Sequence, residues 1–321
     1  MRMRFLRPTP GDALTFLFAG FLLAVTLAFP DRINGWRDAV VLYGALLAAA
    51  GGVVLLGRRP GAGALWVRLA DFAPFVFVPW IFSSLGHVVH VLHLQDRDAW
   101  LIAWDHALFG VHPTVWMERW IRPWLTDLLQ LAYTSYFFLP LILGTALYFR
   151  GKRDAYHEAV FTVLLGFYAS FAGYLLIPAV GPRFTLAHLQ TVPLDGSPLT
   201  QAIRETLDWL ENNKRDVFPS GHTAIVILVL VLAYRFERRL FYPFLPLVLA
   251  LVVSTVYLRY HYVVDVIAGI LLAGAVLAVS PGLYRWGLKT IRGPASRSPR
   301  SRPGPPDCRS PEAGATPPGS P

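Results

Sequence analysis

Residues 218–233 read FPSGHTAIVILVLVLA. A serine, a glycine and a histidine stand at the mouth of an apolar run with the composition of a membrane span. Ordered polar groups at the edge of hydrocarbon are costly, so their presence there points to a task. Outward from this stretch the whole chain has the same character. Its 321 residues are 55% hydrophobic and 14% aromatic, and only 15% are charged, where a soluble domain carries about 25%. Apolar runs near the roughly 20 residues that cross hydrocarbon as a helix recur throughout. The first, ALTFLFAGFLLAVTLAF (13–29), follows Arg2, Arg4 and Arg7. No small-residue cleavage site comes after it, so it reads as a span and not as a secretory leader.

Eight spans are predicted, at 13–30, 38–57, 69–92, 126–149, 157–178, 222–236, 241–258 and 262–282, and the fold is expected to be all-α and polytopic. With the N-terminus inside, the inward segments carry nineteen of the 29 Lys and Arg, and the outward ones ten. Each short inward loop is a tight basic cluster (Arg58, Arg59; Arg150, Lys152, Arg153; Arg235, Arg238, Arg239), as the positive-inside rule expects. The net charge of +9 therefore reflects topology and does not point to nucleic acid. The single cysteine, Cys308, offers neither an intramolecular disulfide nor a Cys-based metal framework. From 293 the chain turns to proline, serine and glycine, which build no core, and is expected to be a disordered cytoplasmic tail. Three parts are thus expected: two N-terminal spans in 1–68, a six-helix core in 69–292, and the tail.

On this topology the outward loops hold the unusual polar residues. In KRDVFPSGHTA, Pro219 suits a helix start. A helix N-terminus at Ser220, Gly221 and His222 is an anion site, and Gly221 lets a phosphate approach the backbone. The same stretch also reads as an ordinary Ser or Thr cap. In STVYLRYHYVVDVIAG (254–269), His261 and Asp265 are four apart and share one helix face. A carboxylate that accepts one imidazole N–H leaves the other nitrogen as nucleophile or base. In LLIPAVGPRFT (175–185), Arg183 offers a planar guanidinium suited to phosphate oxygens.

The pairing of PSGHT with a downstream YxxxHYxxDVxxG resembles the type 2 phosphatidic acid phosphatase superfamily, over roughly residues 70 to 282. The resemblance implies a six-helix membrane core that forms a phosphohistidine with no metal or other cofactor. It implies His261 as nucleophile, Asp265 as its orienting base and His222 as the acid for the leaving group. Ser220, Gly221 and Arg183 are implied to hold phosphate oxygens. Two departures stand out. Leu176 occupies the place of a usual lysine, with Pro182–Arg183 in place of Arg–Pro, and Thr255 follows Ser254 where an arginine is usual. Arg259, Lys214 and Arg215 are the candidate replacements for that charge. The departures, with AWDHALFGVHP and LAYTSYFFLPL, are similar to the inositolphosphotransferase and inositol phosphorylceramide synthase branch, which implies transfer to an alcohol such as inositol. The implied partners are a lipid or polyprenyl phosphate and the bilayer, with the active site extracytoplasmic and both termini cytoplasmic.

Other patterns count for less. The histidines of HVVHVLH (87–93) suit one helix face only as adjacent pairs, so no metal site is expected. Trp116, Trp120 and Trp124 form an interfacial stripe, and 197–213 reads as an amphipathic surface helix. Walker, zincin and dinucleotide motifs are absent. A transporter or lipid-binding protein on the same scaffold is the alternative, because substrate pathways also need polar residues within spans.

Overall fold

The computed structural model describes residues 8–210 and 214–292. Every regular element among the described residues is helical. The first four are α1 (Pro10–Ala28), α2 (Trp36–Arg58), α3 (Ala64–Phe72) and α4 (Pro74–Ser84). Next come α5 (Asp98–Phe109), the single turn α6 (Pro113–Trp116), α7 (Pro123–Thr134), α8 (Leu139–Phe149) and α9 (Arg153–Leu176). The chain closes with the turn α10 (Pro182–Thr185), α11 (Pro198–Leu210), α12 (Gly221–Phe236), α13 (Arg238–Tyr257) and α14 (Val263–Arg292). The tail from 293 lies outside the described residues.

All eight predicted apolar runs are helical, but they are not equal. Six stretches are long and apolar enough to cross a membrane: 10–28, 36–58, 64–87, 153–176, 238–257 and 263–291. A seventh is the pair α7 and α8, bent by 47° at Phe138. The eighth, α12, has 16 residues, about 24 Å of helix against the ~30 Å of a hydrocarbon core. Its position explains its length. Ile225, Val226, Leu228 and Val229 are fully buried, packed among α8, α9, α13 and α14. A helix apolar on every side is stable in hydrocarbon or where protein surrounds it, and protein packing lets α12 be shorter than a lipid-facing span. The third span starts earlier than predicted and ends at His87, the first of the three histidines. A 3-10 turn at Leu85–His87 closes it, and residues 88–93 follow in turns and bends, where His90 bonds Asp96 (3.0 Å) and Arg97 bonds His93 (2.8 Å).

The N-terminal helices are joined to the rest by apolar packing and by charge. Ala19, Leu22, Tyr43 and Leu46 share one buried cluster with Tyr168 and Phe171 of α9. At one end of the bundle Arg58 of α2 contacts Asp12 of α1 (3.3 Å) and Asp71 of α3 (2.5 Å). Arg153 at the start of α9 reaches the same Asp71 at 3.0 Å. At the other end the segments 178–183, 214–220 and 258–262 converge beside α5.

Candidate functional site

Two histidines meet where these segments converge. His222 sits in the first turn of α12, and His261 sits in the turn between α13 and α14. His261 Nε2 lies 3.4 Å from His222 Nδ1. His261 Nδ1 lies 3.0 Å from the Val217 carbonyl, which can only accept, so the ring carries its proton on Nδ1 and presents a lone pair on Nε2. Asp265 Oδ2 is 3.6 Å from the same Nδ1 and accepts instead from the Tyr262 N–H (2.8 Å). The tautomer is therefore set by a backbone carbonyl, with the carboxylate close behind it. Burial pushes the His261 imidazole down to about 4, more than the nearby Asp216 and the Val217 bond restore, so the ring is neutral across the physiological range.

The turn that presents His261 is tightly held. The amides of Tyr260 and His261 both donate to the Thr255 carbonyl at 3.0 Å. Arg259 adopts φ +63°, a costly conformation for a side-chain residue. Its guanidinium is tied to Glu118 (2.8 Å) and the Val192 carbonyl (2.5 Å). Its own carbonyl accepts from the Arg183 N–H at 3.0 Å.

A small polar cavity opens on His261, lined also by Arg183, Lys214, Asp216, Tyr133 and Tyr260. Of the three candidates for replacement charge, Lys214 borders this cavity. Arg215 pairs with Asp96 (2.7 Å), and Arg259 with Glu118. Asp208 of α11 bridges the two cavity cations, 2.9 Å from Arg183 and 3.2 Å from Lys214. Burial raises the Asp208 carboxyl, but Arg183 and Lys214 outweigh it and hold the group below the usual carboxylate range. Burial lifts Asp216 above that range against the pull of His261.

Ser220 and Gly221 take the capping place that the same stretch also allowed. Pro219 precedes the helix and Ser220 caps it, its Oγ accepting from the Thr223 N–H at 3.3 Å and donating to Thr223 Oγ1 at 3.1 Å. The Ser220 N–H donates to the Asp265 carbonyl (3.0 Å), which fastens α12 to α14. At Gly221 a Cβ would lie 2.2 Å from the Tyr174 hydroxyl, so glycine is needed there for the approach of α9. Neither residue borders the polar cavity, and both hold His222 in register with His261.

Several residues that shape the site were missed from the sequence. Asp98 and Asp105 of α5 act on the backbone around it. Asp98 accepts from the Val180 and Gly181 N–H groups (3.0 and 2.8 Å) and from the Tyr262 hydroxyl (2.8 Å). Asp105 accepts from the Val263 and Val264 N–H groups (3.0 and 2.9 Å), capping α14 from another helix. Burial lifts the Asp105 carboxyl, and those two bonds offset the lift only in part. Seven residues apart on α5, the two carboxylates share a face, a spacing visible in DAWLIAWD. Tyr133 stacks on His222 with centroids 4.5 Å apart, and Tyr136 lies 4.2 Å away on the same ring. Tyr133 also stacks on Tyr260 (4.5 Å), over which Arg183 lies at 5.1 Å. Their signal was the i, i+3 spacing in YTSY. Among the described residues, no group of three or more His, Cys, Asp or Glu is placed to hold a metal ion.

A family model described as the PAP2 superfamily matches residues 99–279. A PA-phosphatase related-family protein of Dictyostelium discoideum is 25% identical over 231 residues, covering 60% of this chain and 41% of that protein. The chain thus spans less than half the length of that curated relative. No solved structure matches it.

Proposed function

The chain belongs to the PAP2 superfamily, and from that premise of a phosphatase-type membrane enzyme we propose that it cleaves a lipid- or polyprenyl-linked phosphate through a phosphohistidine on His261. The observation that carries the reading is the pair of buried imidazoles 3.4 Å apart, with the first presented as a lone pair toward the second.

In the first step His261 Nε2 forms a bond to phosphorus as the bond to the leaving oxygen breaks. Protonated His222 gives that oxygen its proton. Arg183 and Lys214 face the equatorial oxygens, where charge develops, and are released from Asp208 as the phosphoryl group takes its place. An in-line phosphoryl group needs more room than 3.4 Å, so binding parts the two rings. In the second step water attacks phosphorus and gives its proton to His222, and the N–P electron pair returns to His261. The products are an alcohol and inorganic phosphate. An alcohol in place of water, such as inositol, would yield a new phosphate ester by the same steps. The site is proposed to face the extracytoplasmic side, on the charge asymmetry of the loops.

The test incubates the purified protein in detergent with phosphate-labelled lipid esters, with and without myo-inositol, beside His261→Ala. The expected result is free phosphate, and acid-labile label on the protein, from the wild type alone. Label in a new lipid only when inositol is present would identify the transferase reaction. Equal inactivity of wild type and variant would favour the non-catalytic lipid-binding or transport reading.

A further inference from the structure

An apolar cavity runs from His222 along α9, between α8 and α4, and the polar one opens on His261. Among the described residues that line them, Asp216 alone borders both. It therefore stands at the junction of the two cavities, where phosphorus must sit to be attacked by one imidazole and served by the other. The steps of the proposed reaction give this carboxyl no task. On the polar side it meets His261 from the turn before α14, Arg183 from α10 and Lys214 of its own segment, with Tyr133 and Tyr260 lining the same space. On the apolar side the neighbouring groups are the phenols of Tyr174 from α9 and Tyr136 from the bend between α7 and α8, and His222 from α12. Both cations bond a different carboxylate, Asp208, which is half exposed on α11. Burial holds the Asp216 carboxyl above the usual carboxylate range, against the pull of His261, its own amide, Arg183 and Lys214.

A carboxylate against a phosphoryl group is a like-charge contact, and such a pair holds a proton between its members. We propose that Asp216 is a catalytic residue that works as a neutral carboxylic acid, donating its O–H to a phosphoryl oxygen as charge builds there. The inference rests on the reading of His261 as the nucleophile. It accounts for the make-up of the site. Leu176 and Thr255 stand where the resemblance places cations, and Arg215 and Arg259 are paired elsewhere. The polar cavity thus offers Arg183 and Lys214. A carboxylic acid adds a third donor without adding charge, beside apolar walls where a further cation would be costly. Its proton stays on Asp216 through both steps. His261 still makes and breaks the bond to phosphorus, and His222 still carries the transferred proton. Ionised Asp216 repels the phosphoryl group, so the deprotonated enzyme binds and turns over poorly.

The experiment follows kcat/KM for phosphate release from a labelled lipid ester against pH, for wild type, Asp216→Asn and Asp216→Ala. Asn keeps a donor and cannot ionise, so it should lose no more than about tenfold. Ala should lose about 10²–10³-fold, the scale of one missing oxyanion donor. Dividing the wild-type value by that of the Asn variant cancels the titrations of His222, Lys214 and the ester, which both proteins share. That ratio should be level at low pH and fall by about tenfold per pH unit once Asp216 ionises, the slope of one proton. Infrared difference spectra on binding inorganic phosphate need neither turnover nor a folded Ala variant. The wild type should show the carbonyl stretch of a protonated carboxyl shifting on binding, and the Asn variant should lack that band. Asn as inactive as Ala at every pH, with an ionised carboxylate in the wild-type spectrum, would overturn the donor and make Asp216 a base. Full activity in both variants would also overturn it, leaving the catalytic reading of His261 intact. The protonated band with no release of phosphate by the wild type would uphold the donor and overturn the reading of His261 instead.

Discussion

At the scale of single residues, the chemistry depends on where two nitrogens and two cations are held. His261 is neutral because it is buried, and this has a kinetic consequence with a definite sign. A depressed pKa keeps the nucleophile unprotonated as pH falls, so the acid limb of kcat/KM should have its midpoint near 4. A profile of phosphate release against pH checks this, and a midpoint near an ordinary histidine's 6.5 would count against a buried nucleophile. Stability moves the other way. The unfolded chain takes up this proton first, so the fold should weaken as pH drops from about 6.5 toward 4. The cations make a separate prediction. Lys214 borders the polar cavity and Arg215 pairs with Asp96. Lys214→Ala should raise KM by about tenfold, the scale of one hydrogen bond to a charged group. Arg215→Ala should move KM much less, and steady-state kinetics separate the two.

At the scale of elements, α5 does what the motif helices cannot do for themselves. The first amides of α14 have no intrahelical acceptor, and Asp105 supplies one from α5 while Asp98 holds the 180–181 amides and Tyr262. Gly181 belongs to this arrangement, with φ +90° and room for no Cβ, which would meet the Tyr260 carbonyl at 2.8 Å. Asp105→Ala should cost about 1–2 kcal/mol of stability, as removal of a helix cap does. It should also lower kcat, because α14 carries Asp265, whose carboxylate accepts from the Tyr262 amide of the His261 turn. Thermal unfolding in detergent measures the first effect and turnover at saturating substrate the second. Loss of stability with kcat unchanged would make Asp105 a cap and nothing more.

At the scale of the molecule, the N-terminal helices are clamped to the catalytic part by a buried charge cluster at the end opposite the site. Arg58 is 6% exposed and contacts Asp12 and Asp71. Removing it leaves two carboxylates buried without their main partner. Arg58→Ala should therefore destabilise the protein by about 3–5 kcal/mol, read as an earlier thermal transition. An unchanged melting curve would show that apolar packing alone docks these helices.

The sequence alone determined the helical class and the places of eight apolar runs, because both are written in local composition, and its two motifs singled out His222 and His261 as candidates. Hydrocarbon imposes length and apolarity on a span wherever it lies. The shared helix face expected for His261 and Asp265 did not form, because α14 begins at Val263 and His261 lies in the turn before it, with the carboxylate 3.6 Å from its ring. Tertiary structure decided which polar atoms have work left to do. Ser220 looked like a phosphate ligand, but its hydroxyl and amide are taken up by the cap and by α14. Arg259 looked like spare charge, but it is paired with Glu118, 141 residues away in the chain. Asp98 and Asp216 carried no motif, and the stretches that hold Asp105 and Tyr133 gave those two residues no role, since their partners come from elements remote in sequence. A side chain's role depends on the groups that desolvate and satisfy it, and when those come from other helices only the packed bundle brings them into contact.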